Sequence, residues 1–341
     1  MKKYIIIEDN GQHNHAGPKA RNDVEFIAYS EGYQALKVRK YPVNGLRNRL
    51  KQLRVVSSDW LRVLRKVEKG SIVLIQVPLS YGQSLVTSYL KLIKKLKHVE
   101  IHMLIHDLEF LRGEISEEQK EINFLKEAKN IICHNDHMKH RLEEYGFNNC
   151  VSLEIFDYIL PEENRMTREQ TLTNEVIVAG NLHKDKATYV YQLDDVKETN
   201  FNLYGPNYTG KESSENITYK GQFRPEELIK NLQGCFGLVW DGTSVETCTG
   251  AMGNYLKINN PHKTSMYLVA GLPVIVWEQS ALADFVLKHN VGIVVHSLHE
   301  INSKLNALTN ETYQEMLKNV KMIQERLAIG YYTRQALSFI E

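Results

Sequence analysis

Asn259-Asn260-Pro261-His262-Lys263-Thr264-Ser265-Met266-Tyr267-Leu268-Val269-Ala270-Gly271-Leu272-Pro273-Val274-Ile275-Val276-Trp277 is the stretch that most constrains the architecture of this chain. Pro261 marks the start of a helix, Gly271 marks its end, and Pro273 begins a β-branched run typical of a buried strand. Free backbone N–H groups, the positive end of the helix dipole and the ammonium of Lys263 together favour a bound diphosphate. An ordinary helix–strand unit with a solvated lysine is the competing interpretation.

Short apolar runs alternate with amphipathic stretches along the whole chain. In the first half the runs are Tyr4–Ile7, Ile72–Val77, Ile101–Ile105, Ile131–Cys133 and Val151–Ile155. In the second half they are Val176–Ala179, Phe201–Tyr204, Ile217–Tyr219, Phe236–Val239, Val274–Trp277 and Gly292–Val295. The alternation predicts an α/β protein with two mostly parallel sheets, each covered by helices on both faces.

The charge of the chain is balanced overall and uneven locally. The 341 residues carry a formal net charge of +1, so no global field favours a nucleic acid or a strongly acidic partner. Residues 37–66, however, contain ten Lys/Arg residues and one acid, Asp59, interleaved with apolar side chains. This stretch is either a basic amphipathic surface for anionic lipid, or a solvated helix face whose apolar side packs in the core. The second interpretation is favoured.

Cysteine usage and the N-terminal sequence predict a cytoplasmic protein. The 4 cysteines have no CxxC spacing, which is typical of buried thiols in a reducing compartment. The apolar run Tyr4–Ile7 is too short for a signal peptide or a membrane span. Peripheral contact with a membrane through residues 37–66 remains an open alternative.

Several motifs resemble one family of enzymes. The run Ala270–Val276, together with Gly237-Leu238-Val239-Trp240-Asp241 and the Asn-Pro-His-Lys segment, resembles the nucleotide-sugar half of GT-B glycosyltransferases. More narrowly, these segments are similar to the bacterial β-1,6-galactofuranosyltransferases and to the related glucosyltransferases that extend glycans on serine-rich-repeat adhesins. Glu8-Asp9-Asn10 and residues 14–23 resemble the same group. The resemblance touches both ends of the chain and implies a UDP-sugar donor and a glycan acceptor.

The resemblance implies a GT-B fold, in which two doubly wound Rossmann-like domains face a central cleft. A linker is predicted at Pro161–Asn174, where proline and charge interrupt the alternation. The predicted domains are residues 1–160, which would bind the acceptor, and residues 161–324, which would bind the nucleotide sugar. The C-terminal helix, from about residue 325 to 341, is expected to pack back on the first domain.

Candidate donor-binding residues follow the predicted strands of the second half. Glycine and amide groups after the first of these strands can approach the donor phosphates, and Phe223 can stack on uracil. Asp241 can accept a hydrogen bond from a sugar hydroxyl. An ordinary β-turn, a hydrophobic staple and an Asp-Gly turn are the competing structural interpretations. The predicted donor-binding residues are Asn181, Tyr204, Phe223, Arg224, Asp241, His262, Lys263 and Thr264.

Neither a metal nor another cofactor is expected. Asp194-Asp195 is an acidic pair without a third ligand in view. The resemblance implies that a helix terminus and a basic side chain, here Lys263, neutralise the leaving diphosphate. Many retaining GT-B families carry two glutamates at positions occupied here by Ile258 and Met266. That departure favours the inverting group.

Inversion requires a base in the first domain that deprotonates the acceptor hydroxyl. Asp9, with His13 and His15, follows the first strand, and His106-Asp107 follows the strand Ile101–Ile105. The second pair has the better position, because a strand end is rigid. A structural histidine and a helix-capping aspartate are the alternative. Asp107, supported by His106, or else Asp9 is predicted to take the acceptor proton, with His13 and His15 next in line. The predicted catalytic residues are therefore Asp107, His106 and Asp9, and the predicted acceptor-binding residues are His15 and Lys19.

The predicted function is transfer of galactofuranose or glucose, with inversion, from a UDP-sugar to a glycan hydroxyl in cell-surface polysaccharide or glycoprotein assembly. Two alternatives remain open at this stage: a nucleotide-sugar epimerase of similar architecture, and a non-catalytic UDP-sugar-binding subunit of a glycosylation complex. The resemblance also implies a homo-oligomer. Nucleic-acid binding is not expected, because the basic stretch lacks a recognition motif.

Overall fold

The computed structural model divides into two compact units. It describes residues 1–9, 17–40, 46–80, 83–113, 116, 118–165 and 171–341. Unit 1 comprises Met1–Leu153 and Tyr332–Glu341, whereas unit 2 comprises Glu154–Tyr331. The sequence-based division lay at residue 160, with the returning segment starting at about residue 325. Both boundaries of the structure therefore differ from the expected ones by several residues.

Unit 1 is built on a parallel sheet with helices around it. Over the described residues its six strands have the order β2-β1-β3-β4-β5-β6. The strands are β1 (Lys3–Asp9), β2 (Tyr33–Arg39), β3 (Ile72–Val77), β4 (Glu100–Ile105), β5 (Asn130–Cys133) and β6 (Cys150–Ser152). The helices are α1 (Gly17–Ser30), α2 (Leu46–Lys66), α3 (Gln83–Lys97), α4 (Glu118–Leu125), α5 (Asp136–Glu143) and, at the C-terminus, α12 (Tyr331–Ile340).

Unit 2 repeats this scheme. Within residues 171–331 its six parallel strands have the order β12-β11-β10-β7-β8-β9. The strands are β7 (Glu175–Ala179), β8 (Asn200–Tyr204), β9 (Ile217–Gly221), β10 (Phe236–Val239), β11 (Val274–Trp277) and β12 (Gly292–Val295). The helices are α6 (Pro225–Asn231), α7 (Gly250–Tyr255), α8 (His262–Val269), α9 (Leu282–His289), α10 (Ile301–Asn306) and α11 (Asn310–Ala328).

Every apolar run singled out in the sequence contributes to a strand, and the α/β fold class is confirmed. The sequence analysis missed β2. Its residues alternate between buried and exposed, and they include Lys37 and Arg39. β2 pairs only with β1 and forms one edge of the described sheet. Strands in such a position lack the continuous apolar run that marks a strand buried on both faces.

Both sheets reverse their strand order at one point. In unit 1 the chain passes from β1 to β2 on one side and then places β3 on the other side of β1. In unit 2 it passes from β7 through β8 to β9 and then places β10 on the other side of β7. Ligands of open parallel sheets bind beyond the carboxyl ends of the two strands at such a switch point. The ends of β1 and β3, and those of β7 and β10, are therefore the places to search.

Candidate functional site

The loops after β7 and β8 approach each other closely. The backbone N–H of Gly180 donates to the carbonyl oxygen of Tyr204 at 3.0 Å. A Cβ atom at Gly205, whose φ is +139°, would lie 1.8 Å from the carbonyl oxygen of Gly180. Only glycine fits at Gly205, and the turn brings the backbone of both loops to the switch point of unit 2.

Helix α8 is anchored on the sheet by Tyr267. Its buried hydroxyl accepts from the backbone N–H of Ala179 at 2.7 Å and donates to the carbonyl oxygen of Ile177 at 3.3 Å. Gly237 in β10 leaves room for the ring, since a Cβ there would lie 2.1 Å from a Tyr267 ring atom. At the other end of α8, Gln324 donates to the carbonyl oxygen of Val269 at 2.7 Å. These contacts hold α8 across β7 and β10.

Lys263, the second residue of α8, pairs with Asp241, which lies just beyond the end of β10. The ammonium donates to the Asp241 carboxylate at 3.0 Å and to the carbonyl oxygen of Trp240 at 2.7 Å. Each side chain of the ion pair is 20% exposed. An ammonium has three N–H donors, and these contacts use two. Both residues were predicted to bind the donor, and the structure shows that they contact each other; contact of either one with a donor stays a prediction.

His262 packs against the first residues of unit 2. Its ring stacks on Tyr158 with centroids 5.1 Å apart, and its Nε2 lies 3.3 Å from the carbonyl oxygen of Asp157. Ser265 donates to the carbonyl oxygen of Phe156 at 2.6 Å. These contacts hold the N-terminus of α8 in place, and with it the neighbouring residue Lys263. Direct contact between His262 and a donor stays a prediction.

Thr264 is completely buried at the third position of α8. Its hydroxyl has no hydrogen-bond partner among the described residues. A polar atom left in that state costs about 1–3 kcal/mol. The hydroxyl is inaccessible, so a donor would reach it only if its neighbours moved. Its predicted contact with a donor stays a prediction.

Tyr204 differs from the expectation that it binds the donor directly. Its side chain is 1% exposed. The hydroxyl donates to the carbonyl oxygen of Asn231 at 3.1 Å and accepts from the N–H of Gln233 at 2.9 Å. Phe223 lies beside it with ring centroids 6.1 Å apart and is itself partly exposed. Tyr204 therefore supports Phe223, the predicted uracil platform, while its own surface is covered.

Two further predicted donor residues, Asn181 and Arg224, lie on loops that follow strands of unit 2. The side-chain oxygen of Asn181 accepts from the N–H of His183 and from Asn207 Nδ2, each at 3.0 Å. Arg224 is exposed and immediately precedes α6, where its carbonyl oxygen accepts from the N–H of Leu228 at 2.8 Å. Asn181 thus shapes the loop after β7, and Arg224 begins a helix. Contact of either side chain with a ligand stays a prediction.

The candidates at the end of β1 are only partly within the described structure. His15 and His13 lie outside the described residues, and of Asp9 only the strand backbone is described. The side chain of Lys19 forms an ion pair with Asp23, one turn further along α1. Glu8 accepts from the N–H of Ser80 at 2.8 Å and from its hydroxyl at 3.0 Å. This last contact joins the ends of β1 and β3 at the switch point.

His106 follows β4 and belongs to a network that the sequence analysis missed. Its Nε2 lies 2.7 Å from the side-chain oxygen of Gln76 in β3. The amide nitrogen of Gln76 donates to Glu25 of α1 at 3.4 Å. An ionised carboxylate only accepts, so the amide must turn its nitrogen toward Glu25 and its oxygen toward His106. That oxygen selects the tautomer with hydrogen on Nε2 and makes Nδ1 the basic nitrogen of the neutral ring.

The network is held by two further groups. Arg21, one turn before Glu25 on α1, donates to the carbonyl oxygens of Gln76 at 3.3 Å and Pro78 at 2.5 Å. Burial raises the pKa of Glu25, and the charge of Arg21 opposes that shift. Burial lowers the pKa of His134 to about 3, against the effect of its hydrogen bonds to the backbone at the end of β4. His134 is therefore neutral at physiological pH and supports the segment that carries His106.

Asp107, the residue that the sequence analysis favours as the base, forms an ion pair. The guanidinium of Arg112 lies 3.4 Å from its carboxylate, and the Asp107 side chain is 36% exposed. Which of the two residues takes the acceptor proton stays a prediction. The one sequence signal for the His106 network was Gln76, a polar residue inside the apolar run Ile72–Val77.

The described residues contain neither a metal-ligating cluster nor a membrane-spanning helix. No group of three or more potential metal-ligating His, Cys, Asp or Glu side chains is present there. Asp194, half of the acidic pair weighed in the sequence, accepts from Ser214 at 2.5 Å. None of the described helices is both long enough and apolar enough to cross a bilayer.

The architecture matches that of known glycosyltransferases. Sucrose-phosphate synthase from Thermosynechococcus elongatus superimposes with a TM-score of 0.65 at 10% identity, covering 99% of each chain. An α-glucosyltransferase solved in complex with UDP gives a TM-score of 0.59 at 13% identity, covering 100% of each chain. At these identities the likeness concerns the fold alone. The fold class is that of the GT-B glycosyltransferases.

Sequence comparison identifies the family. Residues 2–155 match the Glucosyltransferase 3-like N-terminal domain, and residues 176–340 match the Glucosyltransferase 3-like C-terminal domain. The chain is 34% identical over 340 residues to β-1,6-galactofuranosyltransferase WbbI of Escherichia coli K12, covering 98% of this chain and 97% of that protein. It is 24% identical over 325 residues to glucosyltransferase 3 of Streptococcus gordonii, covering 93% and 92%. The chain belongs to the Glucosyltransferase 3-like family and is a glycosyltransferase.

Proposed function

We propose that this enzyme transfers a hexose, galactofuranose or glucose, from a UDP-sugar to a hydroxyl of a glycan acceptor with inversion at the anomeric carbon. The process would be the assembly of a cell-surface polysaccharide or glycoprotein. The observation that carries the proposal is Lys263, held at the start of α8 beside Asp241 at the switch point of unit 2. The names of the relatives support the two candidate sugars.

The start of α8 suits a diphosphate for three reasons. The first N–H groups of a helix lack the usual intrahelical partners, and the dipole places partial positive charge there. In α8 the N–H of Thr264 already donates to the carbonyl oxygen of Pro261 at 3.0 Å. The Lys263 ammonium retains one N–H without a partner in the described structure. The carboxylate of Asp241 accepts from the same ammonium. When the glycosidic bond breaks, these groups would stabilise the negative charge that develops on the departing UDP.

The acceptor proton would be taken by a residue of unit 1. We favour His106, since Gln76 orients its ring with Nδ1 as the basic nitrogen. Asp107 and Asp9 remain the other candidates. The residues at the two positions of the retaining glutamates, Ile258 and Met266, cannot act as carboxylates. Their identity supports a single displacement by the acceptor hydroxyl, with a base assisting.

The experiment is a panel of UDP-hexoses, including UDP-galactofuranose and UDP-glucose, incubated with purified protein and glycan acceptors. We expect UDP release that requires both the acceptor and one preferred donor. An altered donor sugar without any acceptor would instead indicate an epimerase. Donor binding without UDP release would indicate a non-catalytic subunit. The comparisons favour neither of these alternatives.

Other aspects of the sequence analysis stay predictions. They are independence from metal ions and other cofactors, the absence of nucleic-acid binding, a cytoplasmic location, peripheral contact with a membrane through residues 37–66, and homo-oligomerisation. The division of labour between the two predicted domains, with the acceptor bound by unit 1 and the donor by unit 2, belongs to the same proposal. Each can be tested separately from the donor panel.

A further inference from the structure

Helix α2 of unit 1 has two faces of different character. On one face Val56, Trp60 and Val63 are buried. Asp59 is buried on the same side, where Arg39 and Arg62 each donate to its carboxylate at 2.9 Å. Burial acts to raise the pKa of Asp59, but the Arg39 hydrogen bonds outweigh it and lower the value overall. This face joins α2 to the rest of unit 1.

Three leucines of α2 are exposed. Leu50, Leu53 and Leu61 are 64%, 44% and 39% exposed. The spacing of Leu50 and Leu61 places them on one side of the helix, away from Trp60, and Leu53 lies at the margin between that side and the buried face. Single exposed leucines are common on protein surfaces, but several on one face indicate a contact surface.

An open concavity lies on this leucine-bearing face. Its volume is about 490 Å³, and it is lined by Leu53, Arg54, Ser57, Ser58, Leu61 and Arg65. The ion pairs of α2 in the described residues are those of Asp59, so neither Arg54 nor Arg65 has a carboxylate partner there. Two guanidinium groups and two hydroxyls therefore border one depression, with leucines at its edge. We call the six lining residues the α2 concavity.

The chemistry of the α2 concavity is that of a phosphate site beside an apolar surface. Guanidinium groups bind phosphate oxygens through paired N–H donors, and serine hydroxyls can donate as well. Exposed leucines gain free energy when they enter the acyl boundary of a bilayer. The neighbouring helix α3 continues this composition with exposed Leu92, Lys95 and Leu96. A nucleic acid would use the arginines but leave the leucines in water.

We infer that the α2 concavity binds the phosphate headgroups of an anionic lipid bilayer, with Leu50, Leu53 and Leu61 entering the interface. The arginines would supply the charge attraction, and the leucines would supply apolar burial. This inference does not depend on the proposed reaction. It places the binding on residues that the basic composition of residues 37–66 could not single out. The same helix also packs in the core through its other face, so both interpretations of the stretch apply to different residues.

The test is sedimentation of the purified full-length protein with vesicles of phosphatidylcholine alone or mixed with phosphatidylglycerol. We expect binding to the mixed vesicles, much weaker binding to phosphatidylcholine, and release by added salt. The double variant Arg54→Gln/Arg65→Gln should lower the affinity for the mixed vesicles by about thirtyfold, since each cation near an anionic surface contributes about 1 kcal/mol. Leu53→Ser/Leu61→Ser should weaken binding while its salt dependence remains.

Matched controls lie in unit 2. Leu287, which is 60% exposed, and the exposed Lys318 provide the substitutions Leu287→Ser and Lys318→Gln, which should leave vesicle binding unchanged. Circular dichroism and UDP affinity should match the parent protein in every variant, which separates this test from the proposed reaction. Inorganic phosphate at millimolar concentration should not displace the vesicles. Equal binding to both vesicle types, no effect of the arginine double variant, or binding to DNA but not to mixed vesicles would overturn the inference.

Discussion

The two switch points of this protein collect different kinds of polar groups. At the ends of β7 and β10 the described side chains form a single ion pair, Lys263 with Asp241, next to a helix N-terminus. At the ends of β1, β3 and β4 they form a network in which Glu25, Gln76 and His106 are connected in series. The first arrangement offers an ammonium with one remaining N–H beside a helix N-terminus. The second offers an imidazole of defined tautomer, which suits the transfer of a proton.

This contrast has a physical basis in how each unit presents its backbone. In unit 2, glycine at positions 180 and 205 lets main-chain groups reach the edge, so few side chains are needed to hold a phosphate. In unit 1, Arg21 donates to the backbone carbonyl groups at the end of β3. The side chain of Gln76 therefore contacts His106 rather than this backbone. Under the proposed function, one fold would serve charge stabilisation in one unit and acid–base catalysis in the other.

The largest expected effect is a loss of turnover in a variant of unit 1. His106→Ala should lower turnover by about a hundredfold to ten-thousandfold, the usual cost of losing a general base, and should leave UDP affinity nearly unchanged. Steady-state kinetics and calorimetry with UDP measure the two quantities. Asp107→Asn and Asp9→Asn should have smaller effects if His106 is the base. A tenfold or smaller loss in His106→Ala, with a larger loss in either aspartate variant, would move the assignment to that carboxylate.

The next largest effect is a loss of UDP affinity in a variant of unit 2. Lys263→Ala removes the charge beside the diphosphate, so UDP affinity should fall by about tenfold to a hundredfold and transfer should nearly cease. Lys220→Ala is the matched control, because Lys220 is a lysine of the same unit that contacts Gln233 instead. Calorimetry with UDP is the measurement. Equal UDP affinities for Lys263→Ala and the parent would exclude the donor site at α8.

A substitution at Gln76 tests whether this residue sets the tautomer of His106. Gln76→Leu should lower kcat by about tenfold with KM nearly unchanged, since the ring loses its tautomer control while substrate contacts remain. Gln76→Glu keeps an oxygen facing Nε2 but loses the donor to Glu25, so it should restore only part of the rate. The ¹⁵N chemical shifts of the His106 ring report the tautomer directly. A leucine variant that keeps the Nε2–H tautomer would show that Gln76 has only a packing role.

A smaller effect is expected from Asp241→Asn. The substitution removes a negative charge beside Lys263, so the affinity for UDP itself should rise by about twofold to fivefold, the range of a partly exposed ion pair. If Asp241 also accepts from a sugar hydroxyl, the affinity for the UDP-sugar should fall relative to that for UDP. Calorimetry with both ligands separates these roles. A loss of UDP affinity would mean that Asp241 holds Lys263 in its binding position.

The smallest expected effect is none. Activity should survive EDTA, because the proposal assigns the neutralisation of the diphosphate to Lys263 and the α8 N-terminus rather than to a metal ion. Initial rates with and without EDTA, and after addition of magnesium or manganese, provide the measurement. Loss of activity with EDTA that either metal restores would require a cation site and would reopen the question of Asp194 and Asp195.

The sequence was sufficient for most of the architecture. Parallel strands buried on both faces leave continuous apolar runs, and each run that was singled out contributes to a strand. The start of α8 was equally visible, since Pro261 and Gly271 bracket a helix and Lys263 follows its first residue. Such signals are local: they depend on the conformational preferences of neighbouring residues and on burial along one strand. The edge strand β2 was not predicted, because about half of its residues are exposed to water and leave no continuous apolar run.

Tertiary structure decided which polar residues meet. Gln76 and His106 are 30 positions apart, and they meet because β3 pairs with β4 in a register that aligns Val77 with Ile105. Strand order and register are set by the packing of the whole sheet, so no local pattern reveals them. Tyr204 shows the converse, since its place at a strand end suggested a ligand contact but the fold buried its hydroxyl against the turn at Asn231. Sequence by itself determined the strands, the class of enzyme and the position of Lys263 at a helix start; the three-dimensional packing determined the partners of each side chain, because those contacts join residues that are distant along the chain.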